Sequence, residues 1–329
     1  MGRRWISVLG FAIAAFLIWW LFRNEDPAEV WKHVRTADPW LLLLAVAVTT
    51  ATFPVRAIRW RYLLAPVQPG SPFRSRFAAV CIGFMANNLL PARAGEIARA
   101  YSYGRLEPVP VATAFATVVV ERFLDGVAIL LLLLVALLSP GFPSGALPEA
   151  VVAGIRGLTV GLAGALVLVS LLLIFPKGTM DIAERLSGRL PPRIARLLVS
   201  FTENTLAGLA SLRGWRLVLP ALGWSLGVSL LQSLSFWAGF FAFGIDLPFQ
   251  AALLTNATVA FAIAIPSAPG FVGSFHAGAM LALTGVYGVV GTPALGFAFG
   301  WHLGSFIPIT LIGLWYARQI GLTLRQLRK

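Results

Sequence analysis

The sequence predicts an all-α polytopic membrane protein with about six full transmembrane helices and two re-entrant helical hairpins that form an inverted repeat. Three observations predict this fold class. Hydrophobic residues make up 58% of the 329 residues and charged residues only 12%, whereas a soluble domain is about one quarter charged. The apolar runs are long enough for helices that cross a hydrocarbon core of roughly 30 Å. They also lack the polar alternation of transmembrane barrel strands.

The apolar runs divide one integral membrane domain, residues 1–329, into five parts. These are a first span with an outer loop (1–39), a first inverted half (40–138), a connecting span with a basic cytoplasmic loop (139–216), a second inverted half (217–317) and a basic cytoplasmic tail (318–329). The predicted full spans are residues 5–22, 40–55, 109–138, 151–175, 217–243 and 293–316. Within the connecting loop, residues 180–212 are predicted to lie on the membrane as an amphipathic stretch.

The net charge of +13 indicates topology rather than a nucleic-acid partner. Lysine and arginine collect in loops that stay in the cytoplasm, and they also favour contact with anionic lipids. The basic segments 3–4, 56–76, 177–216 and 318–329 are therefore predicted to be cytoplasmic. This places both termini on the cytoplasmic side of the cytoplasmic (inner) membrane.

Two further segments are apolar but short for two full crossings. Residues 77–105 must start and end inside, and residues 249–287 must start and end outside. Each has a break at its centre, so we predict two hairpins that enter the membrane from opposite faces. Inverted halves with broken helices at matching positions are the best sequence indication of a transporter binding site.

The break of the first hairpin is rich in polar residues. Its predicted site residues are Asn87, Asn88, Pro91, Arg93, Gly95, Glu96 and Arg99. The proline ends a helix, and the two asparagines can satisfy the freed backbone groups, for which lipid offers no partner. The second half-helix is predicted to start near Ala94.

The start of this half-helix is a predicted phosphate seat. A helix N-terminus carries positive dipole and free N–H groups, and Arg93 and Arg99 lie beside it. Glu96 is predicted to pair with one of these arginines and keep it oriented. The alternative is an ordinary cytoplasmic loop whose arginines follow the positive-inside rule.

The break of the second hairpin combines prolines and glycines. Its predicted site residues, with one asparagine on the preceding arm, are Asn256, Pro266, Pro269, Gly270, Gly273, Ser274 and His276. The histidine could shuttle a proton or bond a headgroup. The alternative is a packed histidine with no role in binding.

A third polar group, Glu121, Arg122 and Asp125, interrupts the longest apolar run. A charge at the bilayer centre costs at least about 2.5–3.5 kcal/mol, so these side chains must face protein. Glu121 and Asp125 share a helix face because they are four residues apart. Arg122 is predicted to pair with Asp125 or to reach a hairpin. The group either holds the hairpin in place or binds substrate directly.

No catalytic constellation, metal-spaced cluster or soluble type of phosphate loop occurs in the sequence. We therefore predict a non-enzymatic protein with no cofactor and no metal. The lone Cys81 excludes an intrachain disulfide.

Three motifs together resemble a known family. They are Asn88-x-x-Pro91-x-Arg93-x-Gly95-Glu96, Glu121-Arg122-x-x-Asp125 and Pro266-x-x-Pro269-Gly270-x-x-Gly273. In this order they resemble the flippase-like membrane proteins named for the transmembrane region of lysylphosphatidylglycerol synthase. That resemblance implies lipid translocation: one branch moves aminoacylated phosphatidylglycerol, and relatives occur in polyprenyl-phosphate glycan pathways.

Two departures qualify what the resemblance implies. The soluble aminoacyl-transferring domain of the synthase has no counterpart here, so lysine transfer to lipid is not expected. The family commonly carries an acidic residue after the Pro-Gly motif, and His276 stands near that place.

The leading functional hypothesis is a flippase or translocase for an anionic phospholipid or a polyprenyl-phosphate-linked lipid. The lipid headgroup would bind where the hairpins meet. The alternative is a membrane subunit or enzyme of lipid-linked glycan or aminoacyl-lipid synthesis. The expected partners are the lipid bilayer, an anionic lipid and, in either case, enzymes of envelope biosynthesis.

Overall fold

The computed structural model describes residues 2–90, 94–140, 142–143, scattered positions between 149 and 172, and residues 175–188, 190–209, 215–264 and 268–322. In this part of the chain the regular structure is helical and no strand occurs, as the sequence predicts. The helices are α1 (Gly2–Phe22), α2 (Pro27–Thr36), α3 (Pro39–Leu64), α4 (Phe73–Leu89), α5 (Gly95–Leu106), α6 (Val111–Leu138), α7 (Pro176–Ser187), α8 (Pro192–Leu209), α9 (Trp215–Ala242), α10 (Phe249–Ala264), α11 (Ser274–Leu283) and α12 (Gly291–Gln319). A 3₁₀ turn, Pro269–Phe271, lies between α10 and α11.

Three stretches of the described chain are long and apolar enough to cross a membrane. They are Pro39–Leu64, Arg216–Ala242 and Gly291–Gln319, in α3, α9 and α12. Helix α6 is as long, with 28 residues, but Glu121, Arg122 and Asp125 interrupt its apolar sequence. The predicted span at residues 151–175 lies largely outside the described residues. The chain is thus an all-helical membrane protein with at least these three candidate spans.

The predicted end of the second span, at residue 55, is wrong. Helix α3 continues to Leu64 and contains Pro54 in its interior, so the arginines after residue 55 lie on a helix rather than in a loop. Helix α3 continues because its next residues still pack: Ala57, Trp60 and Leu64 are fully buried. Asp38 caps its start by accepting hydrogen bonds from the backbone N–H groups of the first turn.

Two predicted loops also contain helices. The outer loop at residues 23–38 holds α2, which Asp26 caps. The basic segment at residues 180–212, predicted as an amphipathic stretch, holds most of α7 and all of α8. Helix α8 packs against α6, and the side chains of Thr113 and Asn204 meet at 2.8 Å.

Among the described helices, α3 and α9 pack most extensively against each other, and they run antiparallel. The start of α3 meets the end of α9, where the N–H of Asp38 donates to the carbonyl oxygen of Ala242 at 2.8 Å. The end of α3 meets the start of α9, where Arg59 donates to Ser225 Oγ at 2.7 Å. The two predicted halves therefore begin with helices of opposite direction.

The remaining helices of the two halves pack in corresponding pairs. Helix α4 packs against α5 and α10 against α11, which gives a first hairpin (α4–α5) and a second hairpin (α10–α11). Each hairpin also packs against the last helix of the other half: α4 against α12 and α10 against α6. The first hairpin is therefore packed against helices from both halves, and the described polar residues of its break, Asn87, Asn88 and Glu96, are partly buried.

Candidate functional site

Six charged side chains from three helices meet beside the first hairpin, and we call them the charged cluster. They are Arg56 and Arg59 from α3, Arg99 from α5, and Glu121, Arg122 and Asp125 from α6. Helix α6 supplies both carboxylates because positions four apart lie on one helix face. The neighbouring helices α3 and α5 supply the cations that this face requires.

Glu121 is the centre of the cluster and is completely buried. Both terminal nitrogens of Arg99 bind its carboxylate, at 2.6 Å and 2.8 Å. Arg59 Nη2 approaches Glu121 Oε1 at 2.7 Å, and Arg122 Nη2 approaches the same oxygen at 2.6 Å. Three guanidinium groups therefore neutralise one carboxylate. Removing that carboxylate would leave buried positive charges without a partner.

Asp125 lies one helical turn from Glu121 and is the second anion of the cluster. Arg59 binds it directly with Nη1. Arg122 Nη2 lies 3.1 Å from Asp125 Oδ2, and Arg56 Nη1 lies 3.7 Å from the same oxygen. The predicted pairing of Arg122 with Asp125 is confirmed. Arg59 links both carboxylates and is itself fully buried.

Aromatic rings cover the cluster on two sides. The guanidinium carbon of Arg99 lies 3.9 Å from the ring centroid of Trp60, and that of Arg56 lies 5.0 Å from the ring of Phe84. Trp60 is held in place because its Nε1 donates to Thr117 Oγ1 at 2.9 Å. Such cation–π contacts strengthen as water is excluded, so these rings lower the cost of burying the arginines.

The break of the first hairpin is closed by a side chain and by two glycines. Asn87 Oδ1 accepts a hydrogen bond from the N–H of Gly95 at 2.8 Å, as predicted for the freed backbone groups. Gly95 approaches the carbonyl oxygen of Gly83 so closely that a Cβ would clash with it. Helix α5 begins at Gly95 with Ala94 as its N-cap residue, which confirms the predicted start of the second half-helix.

A small open cleft lies between the first hairpin and α6. Its lining includes Asn87, Gly95, Glu96, Arg99 and Arg122. The side chain of Arg122 is 39% exposed, whereas that of Arg99 is 3% exposed. Arg122 is therefore the cluster arginine best able to meet a ligand in this cleft.

One detail of the predicted phosphate seat is wrong. Arg99 is buried and holds Glu121 with both terminal nitrogens, so it is committed to that carboxylate rather than to a phosphate. Glu96 does not pair with Arg99, and its Oε2 is buried without a hydrogen-bond partner in the described chain. Arg93, the other predicted partner of Glu96, and Pro91 lie outside the described residues.

The break of the second hairpin is built around a histidine. The N–H of Gly273 donates to His276 Nδ1 at 3.2 Å, and His276 is 2% exposed. Its ring stacks on Phe299 with a centroid distance of 3.8 Å and lies 5.1 Å from the ring of His302. Because Nδ1 accepts this bond, the neutral ring carries its proton on Nε2, which has no partner among the described residues.

The two breaks touch each other. A Cβ on Gly270 would meet the backbone oxygen of Asn88 at 3.4 Å and the ring of Phe306 at 2.9 Å. The side-chain amide of Asn88 donates to Thr310 Oγ1 at 2.8 Å, which anchors the end of α4 on α12. Gly270 has φ of 66°, a conformation that favours glycine. The polar breaks that the sequence places in different halves are thus adjacent.

The other predicted site residues take structural positions. Asn256 donates to the carbonyl oxygen of Ser229 on α9 at 3.2 Å. Ser274 is the buried first residue of α11, and Pro269 begins the 3₁₀ turn. Pro266 lies outside the described residues.

Arg56 and Arg59 belong to the site although the sequence does not predict them there. Arginines after an apolar run follow the positive-inside rule, which predicts a cytoplasmic loop for both. The charge balance on α6 could have identified them. Two carboxylates inside an apolar helix need more than the single neighbouring Arg122, and Arg56 and Arg59 are three residues apart on the preceding full helix.

Comparison with known proteins agrees with the family resemblance. The family model described as the lysylphosphatidylglycerol synthase transmembrane region matches residues 7–313. A UPF0104 membrane protein of Methanothermobacter thermautotrophicus is 26% identical over 325 residues, which cover 92% of this chain and 90% of that protein. No solved structure matches the chain at a significant level.

Two further relatives match over shorter stretches. The UPF0104 membrane protein MJ1595 of Methanocaldococcus jannaschii is 31% identical over 99 residues, which cover 30% of each chain. Glycosyltransferase AglD of Haloferax volcanii is 30% identical over 123 residues, which cover 37% of this chain and 20% of that protein. Because the family model spans nearly the whole sequence, the chain belongs to the family of the lysylphosphatidylglycerol synthase transmembrane region.

Proposed function

We propose that this protein is a lipid translocase that moves an anionic phospholipid or a polyprenyl-phosphate-linked lipid across the cytoplasmic membrane. The observation that carries the proposal is the position of Arg122. It belongs to a buried charged cluster, yet its side chain is 39% exposed and lines the cleft beside the first hairpin. A guanidinium in this position favours a ligand with an acidic headgroup.

The charge balance of the cluster supports an anionic ligand. Four arginines face the carboxylates of Glu121 and Asp125, so the cluster itself carries two uncompensated positive charges. Uncompensated charge away from bulk water is costly. A headgroup phosphate in the cleft would reduce that cost, and the N-terminal end of α5, at Gly95 and Glu96, lines the same cleft.

The proposed topology has six full spans, two re-entrant hairpins and both termini in the cytoplasm. Its support is the antiparallel packing of α3 and α9, together with the contact between Gly270 and Asn88 where the breaks meet. In this arrangement a headgroup could pass between sites that open to opposite leaflets, as in transporters with inverted repeats. No catalytic step and no cofactor are required for this movement.

Reconstitution in liposomes tests the translocase proposal. Vesicles carry phosphatidylglycerol with a fluorescent acyl chain, and an impermeant reductant added outside quenches the fluorophores of the outer leaflet. With the wild-type chain we expect lipid to move between leaflets, so that the reductant reaches the fluorophores of both. Arg122→Ala should slow this lipid movement by about tenfold or more, because it removes one charge-assisted contact. Arg61→Ala is the matched control, since Arg61 is an exposed residue of α3.

The folding of each variant is checked alongside its rate of lipid movement. Arg122→Ala should still fold and elute like the wild type, because Arg59 and Arg99 keep Glu121 paired and Arg59 keeps Asp125 paired. Movement at the wild-type rate in a folded Arg122→Ala protein would contradict the proposal. Equal slowing in Arg61→Ala would show that surface charge, rather than the cleft, controls the rate.

Cysteine labelling tests the topology. Cys81 is buried, so Cys81→Ala gives a background without thiols for single substitutions. Asp246→Cys should react with an impermeant reagent from the outside of intact cells, and Lys177→Cys only after the membrane is opened. The reverse pattern would invert the proposed orientation.

The alternative, a membrane component or enzyme of lipid-linked glycan or aminoacyl-lipid synthesis, has two observations in its favour. Glu96 places a carboxylate without a partner among the described residues in the cleft, and part of the chain is similar to a protein named as a glycosyltransferase. Purified protein, polyprenyl phosphate and nucleotide sugars would test it. Product formation that is lost in Glu96→Gln would favour this function over translocation.

A further inference from the structure

Glu96 has no role in the contacts that hold the charged cluster together. Its Oε2 is buried without a hydrogen-bond partner in the described chain, although Arg99 and Arg122 line the same cleft. The carboxylate nevertheless shares this cleft with the exposed part of the Arg122 side chain. A charge that is held near an arginine but not bonded to it changes what else that arginine can bind.

Within the described residues, Glu96 alters the charge that the cleft offers to a ligand. The charged cluster has two more guanidinium groups than carboxylates. Adding the carboxylate of Glu96 leaves one uncompensated positive charge. A ligand with one negative charge then gives a neutral complex, whereas a second negative charge would have to leave water without a partner.

We propose that Glu96 is a charge-selecting residue that makes the cleft prefer a singly charged phosphodiester headgroup over a doubly charged phosphomonoester or diphosphate. This inference rests on the proposed translocase function, and it narrows the lipids named there by the charge of their phosphate group. A phosphodiester carries one negative charge, while a phosphomonoester carries about 1.5 to 2 at pH 7. Phospholipids of the phosphatidylglycerol type and lipids linked through a polyprenyl monophosphate fit the first class, whereas free polyprenyl phosphates and polyprenyl diphosphates fit the second.

The geometry gives Glu96 this role because other polar groups beside it in the cleft already have partners. Arg99 holds Glu121 with both terminal nitrogens, and Asn87 holds the N–H of Gly95. Arg122 keeps an exposed part in the cleft. A headgroup phosphate and the Glu96 carboxylate therefore compete for the same guanidinium, and a ligand of higher charge is repelled more strongly.

A binding experiment on the detergent-purified full chain tests this inference. Native mass spectrometry at pH 8 compares short-chain phosphatidylglycerol with short-chain phosphatidic acid of the same acyl length. We expect the wild type to prefer phosphatidylglycerol. Glu96→Gln should shift the ratio of the two affinities by about tenfold toward phosphatidic acid, because it removes one negative charge from the cleft.

Two control variants make the result specific. Glu96→Asp keeps the charge and should keep the preference, while Asp181→Asn removes an equal charge from an exposed position of α7 and should leave the ratio unchanged. An unchanged ratio in Glu96→Gln, or an equal shift in Asp181→Asn, would overturn the charge-selecting role.

Failure of this inference is distinguishable from failure of the translocase proposal. If the ratio does not respond to Glu96 but phosphatidylglycerol binding still depends on Arg122, the cleft is the site and only the selection by Glu96 is wrong. If Arg122→Ala binds both lipids like the wild type, the cleft is not the lipid site and both proposals fail.

Discussion

The two hairpins have the same order of elements but close their breaks with different chemistry. In the first, Asn87 binds the backbone of Gly95, and the adjacent space is lined by charged side chains. In the second, His276 binds the backbone of Gly273, and aromatic rings such as that of Phe299 cover it. One hairpin therefore holds charge, and the other is closed by ring packing.

This difference between the two hairpins indicates where a charged ligand can bind. A buried arginine requires an anion within reach, and α6 supplies two of them beside the first hairpin. The second hairpin packs against Phe299 and His302 of α12, and the described residues place no charged side chain in contact with His276. The first hairpin is therefore where the proposed headgroup recognition would take place. The second hairpin contacts the break of the first at Asn88.

The largest expected effect comes from removing the central anion of the first hairpin. Glu121→Gln leaves Arg59 and Arg99 buried with too little negative charge, so we expect a loss of about 3–5 kcal/mol in the free energy of unfolding. Thermal unfolding of the detergent-purified protein, followed by tryptophan fluorescence, measures it. Asp246→Asn is the matched control, because that carboxylate is exposed. A wild-type midpoint for Glu121→Gln would show that the cluster is not structural.

A smaller effect compares the close contacts of the two hairpins. A Cβ added at Gly95 would clash with the backbone oxygen of Gly83, while one added at Gly278 would lie 2.7 Å from Val259 Cα. We expect Gly95→Ala to destabilise by about 1–3 kcal/mol and Gly278→Ala by less, because the clash at Gly95 also involves the capping Asn87.

The control for this pair is a helical glycine in open space. Gly223 of α9 has nothing within 4 Å of a Cβ, so Gly223→Ala should stabilise slightly, by at most about 1 kcal/mol, through helix propensity. Unfolding midpoints of the three variants measure the order. An unfolding midpoint of Gly278→Ala below that of Gly95→Ala would show that the second hairpin is the more tightly packed one.

The smallest expected effect concerns the two bonds that close the breaks. Asn87→Ala removes the 2.8 Å bond to Gly95, and His276→Phe removes the 3.2 Å bond to Gly273 but keeps a ring against Phe299. Loss of a helix cap costs about 0.5–2 kcal/mol. We expect Asn87→Ala near the upper part of that range and His276→Phe near the lower part. Hydrogen exchange of the Gly95 and Gly273 amides measures each opening directly.

The local chemistry of the first break could be predicted from the sequence. Asparagines before a proline, with no partners available in lipid, predict that these side chains satisfy the freed backbone groups. In the structure Asn87 does so by accepting a hydrogen bond from the N–H of Gly95. The pairing within α6 also followed from spacing, since Arg122 and Asp125 lie three residues apart. Both interactions are local in the chain, so sequence spacing determines them.

The long-range partners could not be predicted in the same way. Arg59 binds Asp125 and Glu121 from a helix that is distant in the sequence. The positive-inside rule instead predicts that Arg59 lies in a loop. Arg99 was assigned to a phosphate although its partner is Glu121. For these arginines the sequence shows the charge but not the carboxylate that tertiary packing brings to it. The excess of carboxylates over arginines on α6 is the one sequence feature that indicates partners elsewhere in the chain.

The complete burial of Arg59 has a consequence for how the protein is made. Helix α3 is an apolar segment able to cross a membrane, yet it also carries Arg56, Arg59 and Arg61. The carboxylates that pair with Arg59 lie on α6, and 66 residues separate Arg59 from Asp125. The buried arrangement of Arg59 can therefore form only after α6 has been synthesised and has packed beside α3.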